Sequence, residues 1–388
     1  LIPAGYEIAY DQFQLPIQAE KRIYKANGPA LTTATSGDEL TVSSSKVNFV
    51  FNKKSGLVTS YKVDGTEYFK DGFGIQPNFW RAPNDNDYGN GAPKRLQVWK
   101  QSSKNFHVTD VKMTTENKVV SLKATYLLAA GNLYVVTYRI YPSGIVNVSA
   151  QFTSTDMQAA ETEVSEATRM ATFTPGSDAA RKAASKLEVP RIGVRFRLPA
   201  QMNNVQYFGR GPEENYIDRN HGTLVGVYKT TADKMYFNYV RPQENGHHTD
   251  TRWIALSPDK GNGLAIVADS LIGFNALRNS IEDFDSEEAL PHPYQWNNFS
   301  PEEVANHDEK AARNVLRRMH HVNDITPRDF VEVCVDMKQQ GVGGYDSWGA
   351  RPEPFHQIPA NRDYSWGFTL VPVRSASQAN EVAKYDYQ

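Results

Sequence analysis

One cysteine, Cys334, is all that 388 residues contain. No disulfide can form within the chain, and no cysteine-based metal site can be assembled. The compartment stays open, because a periplasmic protein need not use disulfides. No apolar run approaches the roughly 20 residues that cross a bilayer as a helix. The formal net charge is only -2, so no basic field recruits nucleic acid or anionic lipid. No GxSxG, Walker-type or GxGxxG pattern occurs, and no repeat of fixed period is visible. The nine histidines include the pairs His247-His248 and His320-His321, neither at a metal-ligand spacing, so no metal site is expected.

What the chain has in quantity is aromatics, with 20 Tyr and 18 Phe, which favour strands over helices. Short segments alternate apolar and polar residues at even spacing. They include Val47 to Phe51, Leu57 to Val63, Val119 to Leu128, Leu133 to Tyr141, Ile145 to Phe152, Ile192 to Leu198, Phe330 to Met337 and Tyr364 to Val373. Asp64-Gly65, Gly131-Asn132 and Pro142-Ser143-Gly144 mark turns between them. The pattern predicts a large all-β sandwich. Residues 1–18 read as the last strand of a preceding domain, and the start in mid-pattern at Leu1 suggests a piece cut from a longer chain. The expected division is 1–20 as the end of that domain, 21–37 as a linker, 38–374 as the sandwich and 375–388 as a frayed polar tail. A short helix is expected near 95–101 and a longer one from Pro301 to Met319. Residues 156–188 read as an inserted loop, and Pro77 to Gly89 as a structured loop without regular elements.

Chemistry-bearing residues gather in four loops. The glycine-rich turn Gly341 to Gly344 leads to Trp348. A tryptophan there suits either the apolar face of a sugar or a ring folded back onto the core. The carboxylates are Asp85, Asp87, Glu213, Glu214, Asp218, Glu244 and Asp346. A glycosidic bond is usually cleaved by two carboxyl groups about 5–10 Å apart, and spacing along the chain cannot bring any two of these to that distance. The plainer reading makes them turn caps or arginine partners, Arg81 for the first pair and Arg219 for Asp218. On residues alone the reading stops at a carbohydrate-binding β-sandwich.

The loops also carry a resemblance. Arg81-Ala82-Pro83-Asn84-Asp85-Asn86-Asp87-Tyr88-Gly89, the run from Gly209 to Arg219, Tyr239 to Gly246, and Gly343-Gly344-Tyr345-Asp346-Ser347-Trp348 look like RAP-x-DND-x-G, G-x-GPxENYxDR, YVxPxENG and GGxDSW. These occur in this order in the C-terminal part of the large β-galactosidases of glycoside hydrolase family 2. The resemblance implies a β-supersandwich, similar to the galactose-mutarotase-like fold, preceded by the last strand of an immunoglobulin-like domain. It also implies a parent that hydrolyses terminal non-reducing β-D-galactose with retention. Its two catalytic glutamates would lie on an upstream TIM barrel of about 250 residues, so no catalytic residue is expected in this chain. Any Mg or Na would belong to that barrel, and no cofactor is expected here. The expected partners are a β-galactoside and the barrel and N-terminal domains; a homo-oligomeric parent is compatible with this reading, and so is a bacterial cytoplasm or periplasm. Trp348 and Asp346 correspond to substrate-binding positions, and Gly89, Asn90 and Gly91 to the start of a mobile loop near the pocket. Arg210, Glu244 and His247 are candidates for a sugar-facing surface. Two other readings remain: an independent carbohydrate-binding module, and an aldose epimerase using His247, His248 and Glu244.

Overall fold

The computed structural model describes residues 3, 5–17, 19–154, 187–285, 321–346 and 349–387. The expected helix at 301–319 and the body of the expected loop at 156–188 lie outside them, as does Trp348. A small sheet opens the fold, with β2 (Thr32–Ser36), β3 (Glu39–Ser43), β4 (Val47–Asn52), β5 (Leu57–Val63) and β6 (Thr66–Glu67) in simple sequential order. Asp64 and Gly65 both take positive φ between β5 and β6, the geometry that an Asp-Gly hairpin turn requires.

The large sheet holds β7 (Gln76–Asn78), β8 (His107–Glu116), β9 (Val119–Leu127), β10 (Leu133–Ile140), β11 (Val146–Thr153), β12 (Arg191–Pro199), β13 (Asn204–Gly211), β14 (Leu224–Thr231), β15 (His248–Ser257), β16 (Gly263–Leu277), β17 (Phe330–Gln339) and β18 (Tyr364–Val373). Its main path runs β14-β13-β15-β16-β18-β11-β10-β9-β8, and every ladder in it is antiparallel. The expectation of a large antiparallel all-β fold holds.

The sheet forks at β16, a single strand of 15 residues. Gly263 to Ala268 pair with β18, whereas Gly273 to Leu277 pair with β17, which leads on to β12 and β7. Asp269, Ser270 and Leu271 between these halves are the strand's least buried residues. The peripheral β10 alternates buried and half-buried residues, as a strand with one covered face does. In β12, which lies between β17 and β7, the first six residues are all buried. Aromatics fill the space between layers: Phe49 of β4 lies 5.6 Å from Tyr138 of β10 and 6.3 Å from Tyr61 of β5, centroid to centroid.

Four local expectations need correction. Residues 5–17 form no strand; a strand exists only where a neighbouring edge accepts its hydrogen bonds. Here Gln12 instead exchanges two side-chain bonds with the Val225 backbone on β14, at 2.8 and 2.7 Å. The segment read as a linker contributes β1 (Arg22–Ile23) and β2. The tail is ordered: β19 (Tyr385–Asp386) pairs in parallel with β1, and Tyr387 is buried. Pro77 to Gly89 contains the end of β7 and a helix, α1 (Asp85–Gly89), followed by α2 (Ala92–Arg95) and α3 (Gln97–Lys104).

Replacing Phe49 with Ala removes a fully buried ring between the two sheets. The expected loss is about 3–5 kcal/mol, read as a lower urea midpoint.

Candidate functional site

The four polar motifs, scattered over some 270 residues of sequence, meet in space and bond to one another in a ring. Arg81 starts it. Its guanidinium is 2 % exposed, so it must be paired and hydrogen-bonded to be tolerated. It pairs with Asp87 at 3.0 Å, and donates from Nη1 to Gln340 O at 2.8 Å and from Nη2 to Gly341 O at 3.0 Å. Asp87 in turn caps α1 reciprocally with Asn84: Asp87 N donates to Asn84 Oδ1 at 2.8 Å and Asn84 N to Asp87 Oδ2 at 3.1 Å. Asn84 Nδ2 reaches Val342 O at 3.2 Å. The first motif is thereby fixed to the fourth.

The second motif holds the fourth from the other side. Both oxygens of Asp218 accept backbone donors, Val342 N at 3.0 Å and Gly343 N at 2.9 Å. Gly341 is required at this approach, since a Cβ there would lie 2.4 Å from Asp218 Oδ2. Arg219, expected as the partner of Asp218, bonds Glu214 at 2.6 Å instead. Glu214 also accepts from the Tyr239 hydroxyl and from Gly246 N at 2.6 Å, joining the second motif to the third. The third closes on the first through Arg241, whose Nη1 donates to Asp85 Oδ1 at 3.1 Å while its guanidinium lies 3.8 Å over the Tyr88 ring. The carboxylates of the ring are therefore committed to backbone donors and arginines, as the plainer reading held for Asp87.

The nominated residues distribute unevenly about this ring. Asp346 is exposed, and its Oδ1 accepts from Gly349 N at 3.2 Å and Ala350 N at 3.0 Å, which folds the turn that follows Trp348. Gly89 ends α1, Asn90 follows it, and Gly91 at φ 71° opens α2, so the start of the expected mobile loop lies between two short helices. Arg210 is tied by its Nε to Asp250 at 2.5 Å and by its Nη1 to Thr223 O at 2.9 Å.

Glu244 and His247 do not form a sugar-facing surface. They are buried at the fork of the sheet, where Arg191 on β12 meets Glu244 at 3.2 Å and Asp336 on β17 at 3.3 Å. Arg191 Nη2 also donates to Asn275 Oδ1 at 2.9 Å and to Gln339. The adjoining cavity, about 20 Å³ in volume, has room for one water and none for a sugar. Burial, then the Arg191 charge, holds His247 well below the usual histidine range. His248 is lowered too, mainly by burial, and stacks on Phe274 at 5.2 Å. An epimerase pair exposed to substrate is not what these residues form.

Sequence reasoning missed Arg191, Asp336 and Glu188. The first two sit within strand patterns that read as ordinary alternation. Glu188 (7 % exposed) receives Arg95 Nη1 at 2.5 Å and Arg351 Nη2 at 2.9 Å, partners 93 and 163 residues away.

Two measurements test these contacts. Asp87→Ala strands a buried guanidinium, and should cost about 3–5 kcal/mol in chemical denaturation. Asp336 is pushed up to about 7, first by burial, against the lowering effect of Arg191 and with a further rise from Glu244. A folded-state value raised above the unfolded one means that its contribution is fully present below about pH 4 and lost as pH rises through about 7. The stability of the protein relative to its Asp336→Asn variant should therefore fall between pH 4 and 7, as followed by urea titrations across that range.

The chain is similar to a β-galactosidase of Priestia megaterium, with 33% identity over 373 residues, 95% of this chain and 30% of that protein. It is also similar to a β-galactosidase of Streptococcus thermophilus, with 25% identity over 96% of this chain and 30% of that protein. It thus spans about 30% of the length of these relatives. Among solved structures, galactose 1-epimerase from Lactobacillus acidophilus aligns with a TM-score of 0.41 and 8% identity, over 90% of this chain and 98% of that one. A mutarotase-like protein from Salmonella typhimurium aligns at 0.39 with 9% identity, over 92% and 97%. Residues 43–370 match the family described as β-galactosidase small chain, a span that includes all four motifs of the ring, and the chain belongs to that family.

Proposed function

We propose that this chain is the C-terminal part of a glycoside hydrolase family 2 β-galactosidase, and that it completes the mouth of a pocket for terminal β-D-galactosides. The observation that carries the reading is the closed ring of four motifs. It holds the turn before Trp348 and the start of the 89–94 segment against one another through charged and backbone hydrogen bonds. In this reading Trp348 stacks on the sugar or its aglycone, Asp346 shapes the turn that presents it, and residues 89–91 begin a segment that opens and closes. Arg81, Asp87 and Asp218 are positioning residues.

The two carboxyl groups that would act as acid and nucleophile, with retention through a glycosyl-enzyme intermediate, belong to another part of the polypeptide, together with any Mg or Na. Support comes from the commitments of the ring carboxylates: Asp87, Asp218 and Glu214 each accept at least two hydrogen bonds, which leaves them poorly placed for proton transfer to a substrate. Residues 1–20 are read as the edge of an immunoglobulin-like domain. In support, Tyr6, Ile8, Phe13, Leu15 and Ile17 are all exposed, as apolar side chains that lack a neighbouring surface to pack on would be.

The test is hydrolysis of a chromogenic β-galactoside by this chain alone and after mixing with the separately expressed N-terminal portion of the same protein. The expected outcome is no turnover alone and recovery on mixing, with Trp348→Ala raising KM by about tenfold or more, the scale of a lost aromatic stacking contact. Turnover by the chain alone would overturn the assignment and force two loop carboxylates into catalytic roles.

A further inference from the structure

Glu188 stands outside the ring and bonds the segments that follow its first and fourth motifs. Its backbone is pinned to the framework: it forms an antiparallel bridge with Pro359, and the next residue, Val189, donates to Ile358 O at 2.8 Å. Its side chain points to two arginines that sit on different loops. Arg95 is the last residue of α2, and its Nη2 also donates to Asn90 Oδ1 at 3.2 Å. Arg351 follows the turn organised by Asp346. Both guanidinium groups use the same carboxylate oxygen, Oε1. The two loops also touch directly, since a Cβ on Gly349 would lie 2.6 Å from Gly89 C.

Two like charges converging on one atom repel each other, and the arrangement is attractive on balance only if that atom carries the opposite charge. The carboxylate is therefore what makes the arrangement attractive, and its burial strengthens the effect. The paired arginines outweigh that burial and hold the Glu188 carboxyl below the usual glutamate range, Arg95 contributing more than Arg351.

We propose that Glu188 is a positioning residue that couples the 89–95 segment to the 349–351 turn, so that neither loop can move away without releasing the other. The consequence for sugar binding rests on the function proposed above: the coupling would set how far the two sides of the pocket mouth separate.

Hydrogen exchange on the 388-residue chain, read by mass spectrometry, tests the coupling without any ligand. Arg95→Gln should speed exchange by about fivefold or more both in 89–96 and in 349–352, and Arg351→Gln should do the same in both, while the β9 and β10 amides keep their protection. Glu188→Gln should reproduce the combined effect. If Glu188→Gln does not fold, the two arginine variants carry the test. Loosening confined to the loop that bears each substitution would overturn the proposal. In the complemented enzyme, Arg351→Gln should raise KM for the galactoside more than it lowers kcat, a split that simple loss of stability does not give; an equal loss would count against positioning. Failure of the N-terminal portion to restore turnover would sink the functional reading and leave the exchange result to decide the coupling.

Discussion

A buried guanidinium cannot be left alone. Arg81 is nearly inaccessible to solvent, and several kcal/mol of desolvation penalty forces its donors to find acceptors. Asp87 supplies charge, but one carboxylate cannot satisfy a five-donor fork. The carbonyls of Gln340 and Gly341 accept two further bonds. The requirement to satisfy one side chain therefore dictates where β17 must end and where the glycine-rich turn must begin. Asp218 meets the same turn through its amide donors. Acceptors are claimed from one side and donors from the other, so a segment with few side chains of its own acquires a fixed course.

The fork in β16 explains how such distant segments come to share a site. A strand of 15 residues that keeps β18 along one half and β17 along the other brings β12 and β17 beneath the loops. It also creates an interior corner where two sheets part and apolar packing is interrupted. Arg191, Asp336, Glu244, Asn275 and His247 occupy that corner. A net surplus of carboxylate over guanidinium in a dry place is resolved by holding Asp336 up near 7, close to neutrality in its protonated form. Replacement of such clusters by hydrophobic residues is often neutral or stabilising elsewhere, so the corner is better understood as fixing the angle between β12 and β16 than as a source of stability.

The fold class was legible because its signal is local. Alternation in β4, β9, β10 and β18, and the Asp64-Gly65 turn, depend on residues within a few positions of each other. The order in the tail was not legible, because β19 is held by β1, more than 360 residues away, and nothing in a polar C-terminal segment announces that partner. The same limit applies to the site. The polar motifs stood out as loops rich in Asp, Asn, Gly and Pro, and the Arg81–Asp87 pairing is short-range enough to anticipate. Sequence adjacency pairs Arg219 with Asp218, but the turn from Tyr216 to Arg219 sends the two side chains apart, Asp218 to the amides of Val342 and Gly343 and Arg219 to Glu214. Glu244 and His247 looked like loop residues with chemistry to offer, and only the fork of the sheet reveals that they face inward.

The polar character of the ring has a mechanical consequence. A loop held by apolar contact can slide, because dispersion is non-directional and one methyl substitutes for another. A loop held by paired donors and acceptors has one register, since a shift of an ångström breaks several bonds at once and leaves buried groups unsatisfied. Such a network adds little net stability per bond, about 1 kcal/mol for a typical hydrogen bond, yet penalises displacement steeply. The Asp85–Arg241 contact, and the Glu188–Arg351 contact beside the ring, differ from the core of the ring in one respect. In each at least one partner is partly open to solvent, so these contacts give way before those of Arg81 and Asp218.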